Sequence, residues 1–208
     1  MKIVVLAGGL SPERNVSLST GTMVTEALRA LGYRAGLIDL YFGLETGGAD
    51  EAFFDAPVSE AYKKISREAP DLDQVRRGRK GDSPSMFGPG VLELCRMADM
   101  VFLALHGTCG EDGRVQAAFD LMGIPYTGAG YLGSAIAMDK DLTKRMVADV
   151  VSTPGWKTVA YTAADIDRLV ETARLPLVVK PVASGSSIGV SIAHTAEELR
   201  RSLTEGLA

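Results

Sequence analysis

The fold of the first half of the chain is decided by residues 2–9, which read KIVVLAGG. An apolar, β-branched run that stops at a pair of glycines predicts a buried strand, Lys2–Leu6, with a tight loop after it. Apolar residues then recur at helical spacing as far as Gly32, and a second buried strand is predicted over 35–40. Strand, glycine loop, helix and strand make up the first β-α-β unit of a mostly parallel sheet.

Outside this unit, apolar runs typical of strands alternate along the chain with apolar residues at helical spacing. Between about 44 and 90 they are lost among glycines, prolines and charges, which predicts a partly helical surface insertion. The remaining patterns predict strands at 100–105, 124–127, 157–161, 177–180 and 189–193, and helices at 115–122, 134–150, 163–173 and after a capping box at Thr195 and Glu198. We therefore expect an α/β fold of two domains, a mostly parallel one at 1–139 and a smaller α+β one at 140–208.

Composition and charge exclude several classes of function. The 208 residues are 46% apolar and 23% charged, the balance of an ordinary globular protein. The formal net charge of −4 gives no general attraction for nucleic acid. No membrane partner is expected, because the apolar run Met100–Leu105 is far too short to cross a bilayer. Two cysteines make no disulfide framework, so we expect a protein of the reducing cytoplasm.

Two glycine-rich stretches raise the question of nucleotide binding. Residues 128–133 fit the G-x-G-x-x-G pattern of dinucleotide-binding folds, but they do not follow the opening strand of a β-α-β unit and no acidic residue ends a following strand. The chain contains no Gly-Lys pair, which excludes a P-loop. Residues 180–189, KPVASGSSIG, join two apolar strands by small residues whose N–H groups and hydroxyls suit a phosphate. A flexible hairpin turn explains the same residues equally well.

Polar side chains also follow two strands of the predicted sheet. Glu13 and Ser17 flank the start of the first helix, where a carboxylate either favours the helix dipole, by about 0.3–1 kcal/mol, or holds an ammonium group. His106, Cys109 and Glu111 follow a later buried strand, and ligand-binding groups gather at the carboxyl ends of such strands. Zinc is not expected, because the chain has only two histidines. A Cys–His nucleophile pair is not expected either, since nothing in a glycine turn brings the two side chains together.

Five motifs in a fixed order carry a resemblance to a known family. They are GGLSPERNVSL at 8–18, HGTCGEDGRVQ at 106–116, IPYTG at 124–128, SAIAMDK at 134–140 and VKPVASGSSIGV at 179–190. Together they span nearly the whole chain and resemble the D-alanine:D-alanine ligases of the ATP-grasp superfamily. The resemblance implies a Rossmann-like pre-ATP-grasp domain followed by part of the central ATP-grasp subdomain. It also explains 128–133 as a loop of the family rather than a dinucleotide site.

The resemblance implies a reaction and its substrates. In that family, ATP phosphorylates the carboxylate of one D-alanine, and the amine of a second D-alanine attacks the acyl phosphate, in the synthesis of peptidoglycan precursors. Matched motif by motif, Glu13 would pair with the ammonium group of the first D-alanine. Ser17 and Ser186 would lie in the hydrogen-bond network around it, and His106 would lie beside the reacting carboxylate.

The same matching implies which residues hold ATP. Lys140 and Lys180 would contact its phosphates, while Ser186, Ser187 and Gly189 would belong to a glycine-rich flap over them. Fixed positive charge and N–H donors suit phosphoryl transfer, which needs positioning more than a covalent protein group. Closure of the flap would keep water away from the acyl phosphate.

The chain also departs from the pattern of the family. Ser184 stands where the family usually carries a glutamate. The family's adenine-contacting hinge, mobile loop and magnesium ligands would lie beyond residue 208, so we expect Mg2+ to be required, no metal ligand within these residues, and no ligase turnover from them alone. Two alternatives stay open: a ligase that joins D-alanine to D-lactate, and a non-catalytic module that binds amino acid or nucleotide. A homodimer through the N-terminal domain is also expected.

Overall fold

The structure, a computed structural model, describes residues 1–44, 48–63, 69–185 and 189–207. The chain divides into two compact units, Met1–Ala135 and Ile136–Ala208. The first contains a parallel sheet and the second a small antiparallel one, which confirms the predicted α/β class. Within the described ranges, every helix is too short or too polar to span a membrane.

A three-stranded parallel sheet forms the centre of the first unit. Its strands are β1 (Lys2–Ala7), β2 (Arg34–Asp39) and β3 (Met100–Leu103), in the order β2-β1-β3. The 17-residue helix α1 (Arg14–Ala30) connects β1 to β2, as the β-α-β pattern predicts. Because all three strands run in the same direction, their carboxyl ends lie at one edge of the sheet, and the loops that follow them meet there.

Strand β1 is buried on both of its faces, as a central parallel strand requires. Val4 packs into the larger apolar cluster of the unit, and Val5 packs into the smaller one with Leu18 of α1. Helix α1 approaches the sheet closely at Gly21, where an added Cβ would lie 2.8 Å from the Ala7 side chain. This close approach sets the start of α1 next to the loop that follows β1.

The insertion between β2 and β3 is partly helical, as predicted. It contains 3-10 turns at Glu51–Asp55 and Glu60–Lys63, followed by helices α2 (Leu72–Gly78) and α3 (Val91–Met97). It is not only a surface excursion, because Phe54 is completely buried in the larger cluster. An apolar side chain in an irregular segment gives no periodic signal, so the sequence pattern missed this contribution to the core.

A strand is predicted at 124–127, after helix α4 (Arg114–Met122). In the structure this segment forms one parallel bridge, between Val101 and Tyr126. The end of α4 explains the difference. The Ile124 N–H donates to the Phe119 carbonyl at 3.0 Å, so the residues just before the bridge close the helix instead of extending a ladder.

The helix predicted over 134–150 is in fact two helices, α5 (Tyr131–Met138) and α6 (Lys140–Val147). Asp139 separates them with an extended backbone (φ −89°, ψ 108°) and a carboxylate that accepts two N–H groups of α6, each at 2.9 Å. Asp139 also forms an antiparallel bridge with Ala183. A contact distant in sequence thus breaks the helix and places the start of α6 beside the segment that follows residue 180.

The second unit contains the predicted hairpin, formed by antiparallel β4 (Leu177–Val179) and β5 (Ser191–Ala193). Helices α7 (Ile166–Thr172) and α8 (Ala196–Glu205) pack against it. The predicted capping box begins α8, with reciprocal bonds of 3.2 Å between Thr195 and Glu198. The strand predicted at 157–161 is wrong: among the residues that the structure places, this segment joins no ladder, and the side chains near it bond to α6 instead.

Candidate functional site

The loop after β1 is fixed by the hydroxyl of Ser17. The Gly8 N–H donates to Ser17 Oγ at 2.8 Å, and that oxygen donates to the Ala104 carbonyl at 2.7 Å. Ser17 is completely buried, so its hydroxyl joins the loop after β1 to the end of β3. Both bonds go to backbone groups of the protein, and a role of Ser17 around a substrate stays a prediction.

Glu13 and the His106 loop lie next to each other at the carboxyl edge of the sheet. Ser11 Oγ donates to the His106 carbonyl at 2.8 Å and accepts the Glu13 N–H at 3.2 Å. A Cβ added at Gly107 would lie 3.1 Å from Glu13 Oε2. The structure therefore brings together two of the residues that the motifs single out, Glu13 and His106, through Ser11 and Gly107.

This contact gives a test of the loop geometry. Gly107 has φ +70°, which L side chains rarely adopt, and its missing Cβ leaves space for the Glu13 carboxylate. We expect Gly107→Ala to lower the free energy of unfolding by about 1–2 kcal/mol from the backbone conformation alone. A further loss is expected from crowding against Glu13 Oε2 and against Ser11, whose Cβ would lie 3.2 Å from the added atom. Urea denaturation measures both losses together.

Gly123→Ala is the matched control for this variant. Gly123 also has a positive φ, +63°, but an added Cβ there meets no atom within 4 Å. It therefore carries the backbone cost without the crowding. Equal losses of stability in the two variants would contradict the close approach of Glu13 and Ser11 to Gly107.

Within the His106 loop, the carboxylates bind the backbone. The Gly107 N–H donates to Glu111 Oε2 at 2.7 Å, and the Cys109 N–H donates to Asp112 Oδ2 at 2.9 Å. Burial, and then the charge of Asp112, raise the pKa of the Cys109 thiol, which holds it in the protonated form. In the residues that the structure describes, no group of three or more His, Cys, Asp and Glu side chains is arranged to hold a metal ion.

A buried ion pair at the same edge was missed by the sequence analysis. Arg14 Nη2 bonds to Asp39 Oδ2, and Arg14 Nη1 donates to the Gly9 carbonyl at 2.8 Å. Asp39 Oδ1 accepts the N–H groups of Tyr41 and Phe42, at 2.8 and 3.1 Å. The signal in the sequence is an arginine directly after Glu13 and an aspartate that ends the next strand, 25 residues away.

In the second unit, Lys140 and Lys180 lie in one cleft. Lys140 begins α6, its N–H donates to the Val182 carbonyl at 3.0 Å, and its Nζ donates to the Ser184 carbonyl at 2.7 Å. Lys180 follows β4 directly and is exposed. Both line a cleft of about 1220 Å3 within this unit, which we call the lysine cleft.

The charge of the lysine cleft is predominantly positive. Its described lining contains five basic residues, Lys140, Lys144, Lys157, Arg174 and Lys180, against two acidic ones, Asp141 and Glu205. A concave surface lined mainly by one sign of charge attracts ligands of the opposite sign. Gly189, with φ +70°, also lines the cleft. Two other predicted flap residues, Ser186 and Ser187, lie outside the described residues.

One wall of the cleft carries Trp156, which is the single tryptophan of the chain. Its Nε1 donates to Asp141 Oδ1 at 2.8 Å, and the Lys144 Nζ lies 5.1 Å from the centroid of its ring. Trp156 is 41% exposed and lines the cleft. We therefore expect its fluorescence to change when a ligand enters the cleft.

Asp141 ties the segment that contains Trp156 to helix α6. Its carboxylate accepts bonds from Arg145 (2.7 Å), Trp156 (2.8 Å) and Thr158 (2.8 Å). These bonds, that of Arg145 first, lower the pKa of Asp141 from 3.8 to about 2. The charged form thus holds this wall of the cleft in place.

The lowered pKa of Asp141 predicts how stability depends on pH. Because the folded pKa is below the unfolded one, the stabilisation is fully present above pH ~4 and is lost as the pH falls towards ~2. We expect Asp141→Asn to be less stable than the parent chain at pH 5, with a difference that shrinks between pH 4 and 2. Urea denaturation, monitored by circular dichroism, measures the free energy of unfolding of both chains at each pH. A difference that stays constant between pH 4 and 2 would rule out the Asp141 bonds as its source.

Comparisons with known proteins identify the family of this chain. The family model described as "D-ala D-ala ligase N-terminus" matches residues 2–129, and the one described as "D-ala D-ala ligase C-terminus" matches 149–208. The D-alanine–D-alanine ligase of Lacticaseibacillus casei is 42% identical over 208 residues, which are 99% of this chain and 57% of the relative. That of Pediococcus pentosaceus is 43% identical, over 99% of this chain and 59% of the relative.

Solved structures give the same result. The D-alanine–D-alanine ligase of Bacillus anthracis complexed with ATP has a TM-score of 0.59 and 28% identity, covering 100% of this chain and 54% of that one. The enzyme of Coxiella burnetii has a TM-score of 0.64 and 28% identity, covering 100% and 60%. The chain thus spans somewhat more than half the length of the relatives that it matches. The match of the N-terminal family model to more than half of its residues shows that the chain belongs to the D-alanine–D-alanine ligase family.

Proposed function

We propose that this chain binds ATP in the lysine cleft and D-alanine beside Glu13, and that it serves the ATP-dependent joining of two D-alanines in peptidoglycan precursor synthesis. The observation that carries the proposal is the convergence of Lys140 and Lys180 on one cleft. The motifs that supply these lysines are 40 residues apart in the sequence, and each resembles the pattern of the family. The relative from Bacillus anthracis, which is complexed with ATP, supports a nucleotide as the ligand.

The chemistry of the cleft suits a polyphosphate. Lysine is a compact, strongly charged donor that serves phosphates well, and several lysines around one groove offset the negative charge of a triphosphate. The Lys140 ammonium group donates to the Ser184 carbonyl at 2.7 Å and to the Val182 carbonyl at 3.4 Å, which fixes its direction and leaves one further N–H donor. Lys180 has no such restriction in its position at the end of β4, and we propose that it contacts the phosphates directly.

A carboxylate such as Glu13 suits the ammonium group of a small amino acid. D-alanine offers little apolar area, so its affinity has to come from charge and hydrogen bonds. Glu13 lies at the edge of the sheet where loops from β1 and β3 meet, and the His106 carbonyl and Gly107 are close to it. We propose that Glu13 orients the first D-alanine, with His106 beside its carboxylate and Ser17 and Ser186 in the surrounding network.

In the proposed reaction the γ-phosphoryl group of ATP passes to a carboxylate oxygen of the first D-alanine, and ADP leaves. The neutral amine of the second D-alanine then attacks the acyl carbon and the C–N bond forms. Inorganic phosphate leaves with the electrons of the C–O bond, and the nitrogen releases one proton to solvent. The residues of this chain bind and orient the reactants: Glu13 the ammonium group, Lys140 and Lys180 the phosphates, with Ser187 and Gly189 in the flap. Magnesium is expected to accompany ATP, but among the described residues no group of three or more His, Cys, Asp and Glu side chains is arranged to hold it.

Three further assignments complete the proposal. Residues 1–139 are the N-terminal ligase domain and 140–208 a part of the central ATP-grasp subdomain. The protein works in the cytoplasm, where both substrates are small soluble molecules. It forms a homodimer through the first unit, where Val16 and Met23 of α1 are 43% and 60% exposed. Sedimentation at several protein concentrations tests the dimer.

Calorimetric titration tests the two binding sites separately. Two separate titrations, one with ATP and magnesium and one with D-alanine, are each expected to give a saturable heat. L-alanine is expected to give a much weaker heat. Heat from ATP alone would support a nucleotide-binding module without the amino-acid site. The absence of heat from both ligands would contradict the proposed function.

The Glu13→Gln variant is expected to bind D-alanine at least about tenfold more weakly, because a charge-assisted bond to the ammonium group is lost. Its affinity for ATP is expected to stay unchanged. Glu93→Gln makes the same change of charge on the exposed face of α3 and serves as the control. Equal D-alanine affinities in the two variants would remove Glu13 from the site.

A further inference from the structure

The Arg14–Asp39 pair is the most deeply buried ion pair among the described residues, with side chains only 6% and 2% exposed. Two charges lose their hydration when they are buried, so a buried pair does not in general stabilise a fold more than apolar side chains of the same size. Stability alone therefore gives no reason for a pair at this place. Its position, directly after Glu13 and at the carboxyl edge of the sheet, gives another reason.

Arg14 closes a short loop around Glu13. Its Nη1 holds the Gly9 carbonyl at 2.8 Å, while its own backbone begins α1. The side chain therefore connects the two ends of the segment 9–14, in which Glu13 lies. A guanidinium is planar and its donors have fixed directions, so it holds this loop in one geometry as a lysine does not.

Asp39 anchors the guanidinium to the end of β2. Asp39 accepts the N–H groups of Tyr41 and Phe42, and the Phe42 ring lies 4.7 Å from the guanidinium carbon. On the other side, Ser11 attaches the same loop to the His106 carbonyl after β3. The loop that carries Glu13 is thus held from both neighbouring strands.

We propose that Arg14, anchored by Asp39, is a positioning residue that sets the place of the Glu13 carboxylate for the ammonium group of the amino-acid substrate. The proposal rests on the proposed function of Glu13. We place no substrate contact on Arg14, which is 5% exposed and whose guanidinium bonds to the Gly9 carbonyl and to Asp39. A change at Arg14 therefore acts on the amino-acid site and leaves the lysine cleft of the other unit as it is.

Two variants separate positioning from folding. Arg14→Lys keeps the positive charge but not the planar fork. The double variant Arg14→Met/Asp39→Asn removes both charges, and it keeps a side-chain acceptor for the Tyr41 and Phe42 N–H groups. D-alanine affinity is measured by calorimetry at a temperature where circular dichroism shows each variant to be folded. ATP binding is measured in the same samples by the fluorescence of Trp156.

Both variants are expected to bind D-alanine at least tenfold more weakly and ATP with unchanged affinity. Arg34→Lys is the matched control, because Arg34 pairs with exposed carboxylates of the same unit, Glu51 and Asp55. Folded variants of Arg14 that bind D-alanine as the parent chain does would overturn the proposal.

A measurement without ligand keeps this test independent of the proposed function. The side-chain carboxyl carbon of Glu13 is observed by NMR and assigned by its absence in Glu13→Gln. Arg14→Lys is expected to shift this resonance, and Arg34→Lys is expected to leave it unchanged. If the parent chain binds no D-alanine, the proposed function of Glu13 fails, whereas an unmoved Glu13 resonance in Arg14→Lys would overturn the positioning role itself.

Discussion

The Arg14→Met variant is expected to lose about 3–5 kcal/mol of its free energy of unfolding. The substitution leaves the Asp39 carboxylate, 2% exposed, charged and without the cation beside it. It also removes the donor to the Gly9 carbonyl. Urea denaturation at pH 7 measures the loss, which is large enough to be read from the midpoint alone.

A double-mutant cycle shows that the loss comes from the pair. Asp39→Asn leaves the guanidinium without its anion, and Arg14→Met/Asp39→Asn leaves no buried charge. We expect the double variant to be considerably more stable than the sum of the two single losses predicts. Arg34→Met, which breaks exposed pairs with Glu51 and Asp55, is expected to cost far less. Additive losses at Arg14 and Asp39 would mean that the two side chains act independently.

The Lys180→Met variant is expected to bind ATP about 10- to 100-fold more weakly, since charge-assisted bonds of this kind contribute ~1.5–3 kcal/mol. Methionine keeps most of the length of the side chain and removes only the ammonium group. The fluorescence of Trp156, excited where adenine does not absorb, follows the titration. The free energy of unfolding is expected to change little, because Lys180 is exposed.

The control for this variant is Arg201→Met. Arg201 lies on α8 in the same unit, is exposed, and is absent from the lining of the lysine cleft. The Arg201→Met substitution therefore removes one positive charge from the unit without removing one from the cleft. Equal losses of ATP affinity in Lys180→Met and Arg201→Met would attribute binding to the overall charge rather than to the cleft.

Local patterns predicted most of the fold of this chain. The β-α-β unit formed by β1, α1 and β2 follows from apolar runs and glycines that act within a few residues. The break at Asp139 was not predicted: its carboxylate caps α6 locally, and the residue also forms a bridge to Ala183, 44 residues later, which a local pattern does not show. The strand predicted at 157–161 failed for a related reason: an apolar run becomes a strand only where a neighbouring strand pairs with it. Side-chain bonds from Trp156 to Asp141 take the place of a ladder there.

The candidate site was predictable where a motif carries the residue. Glu13, His106, Lys140 and Lys180 were selected by their motifs, and the structure places the first two near each other in one unit and the last two on one cleft in the other. The Arg14–Asp39 pair was missed because charged residues are normally exposed, and a sequence does not show which of them are buried together.

Titration of the unmodified chain with adenosine, AMP, ADP and ATP, followed by the fluorescence of Trp156, tests most directly whether the lysine cleft recognises phosphate. We expect saturable binding that strengthens with each added phosphate and weakens as salt is raised. A fluorescence that does not respond to ATP, or equal affinities for adenosine and ATP, would contradict it.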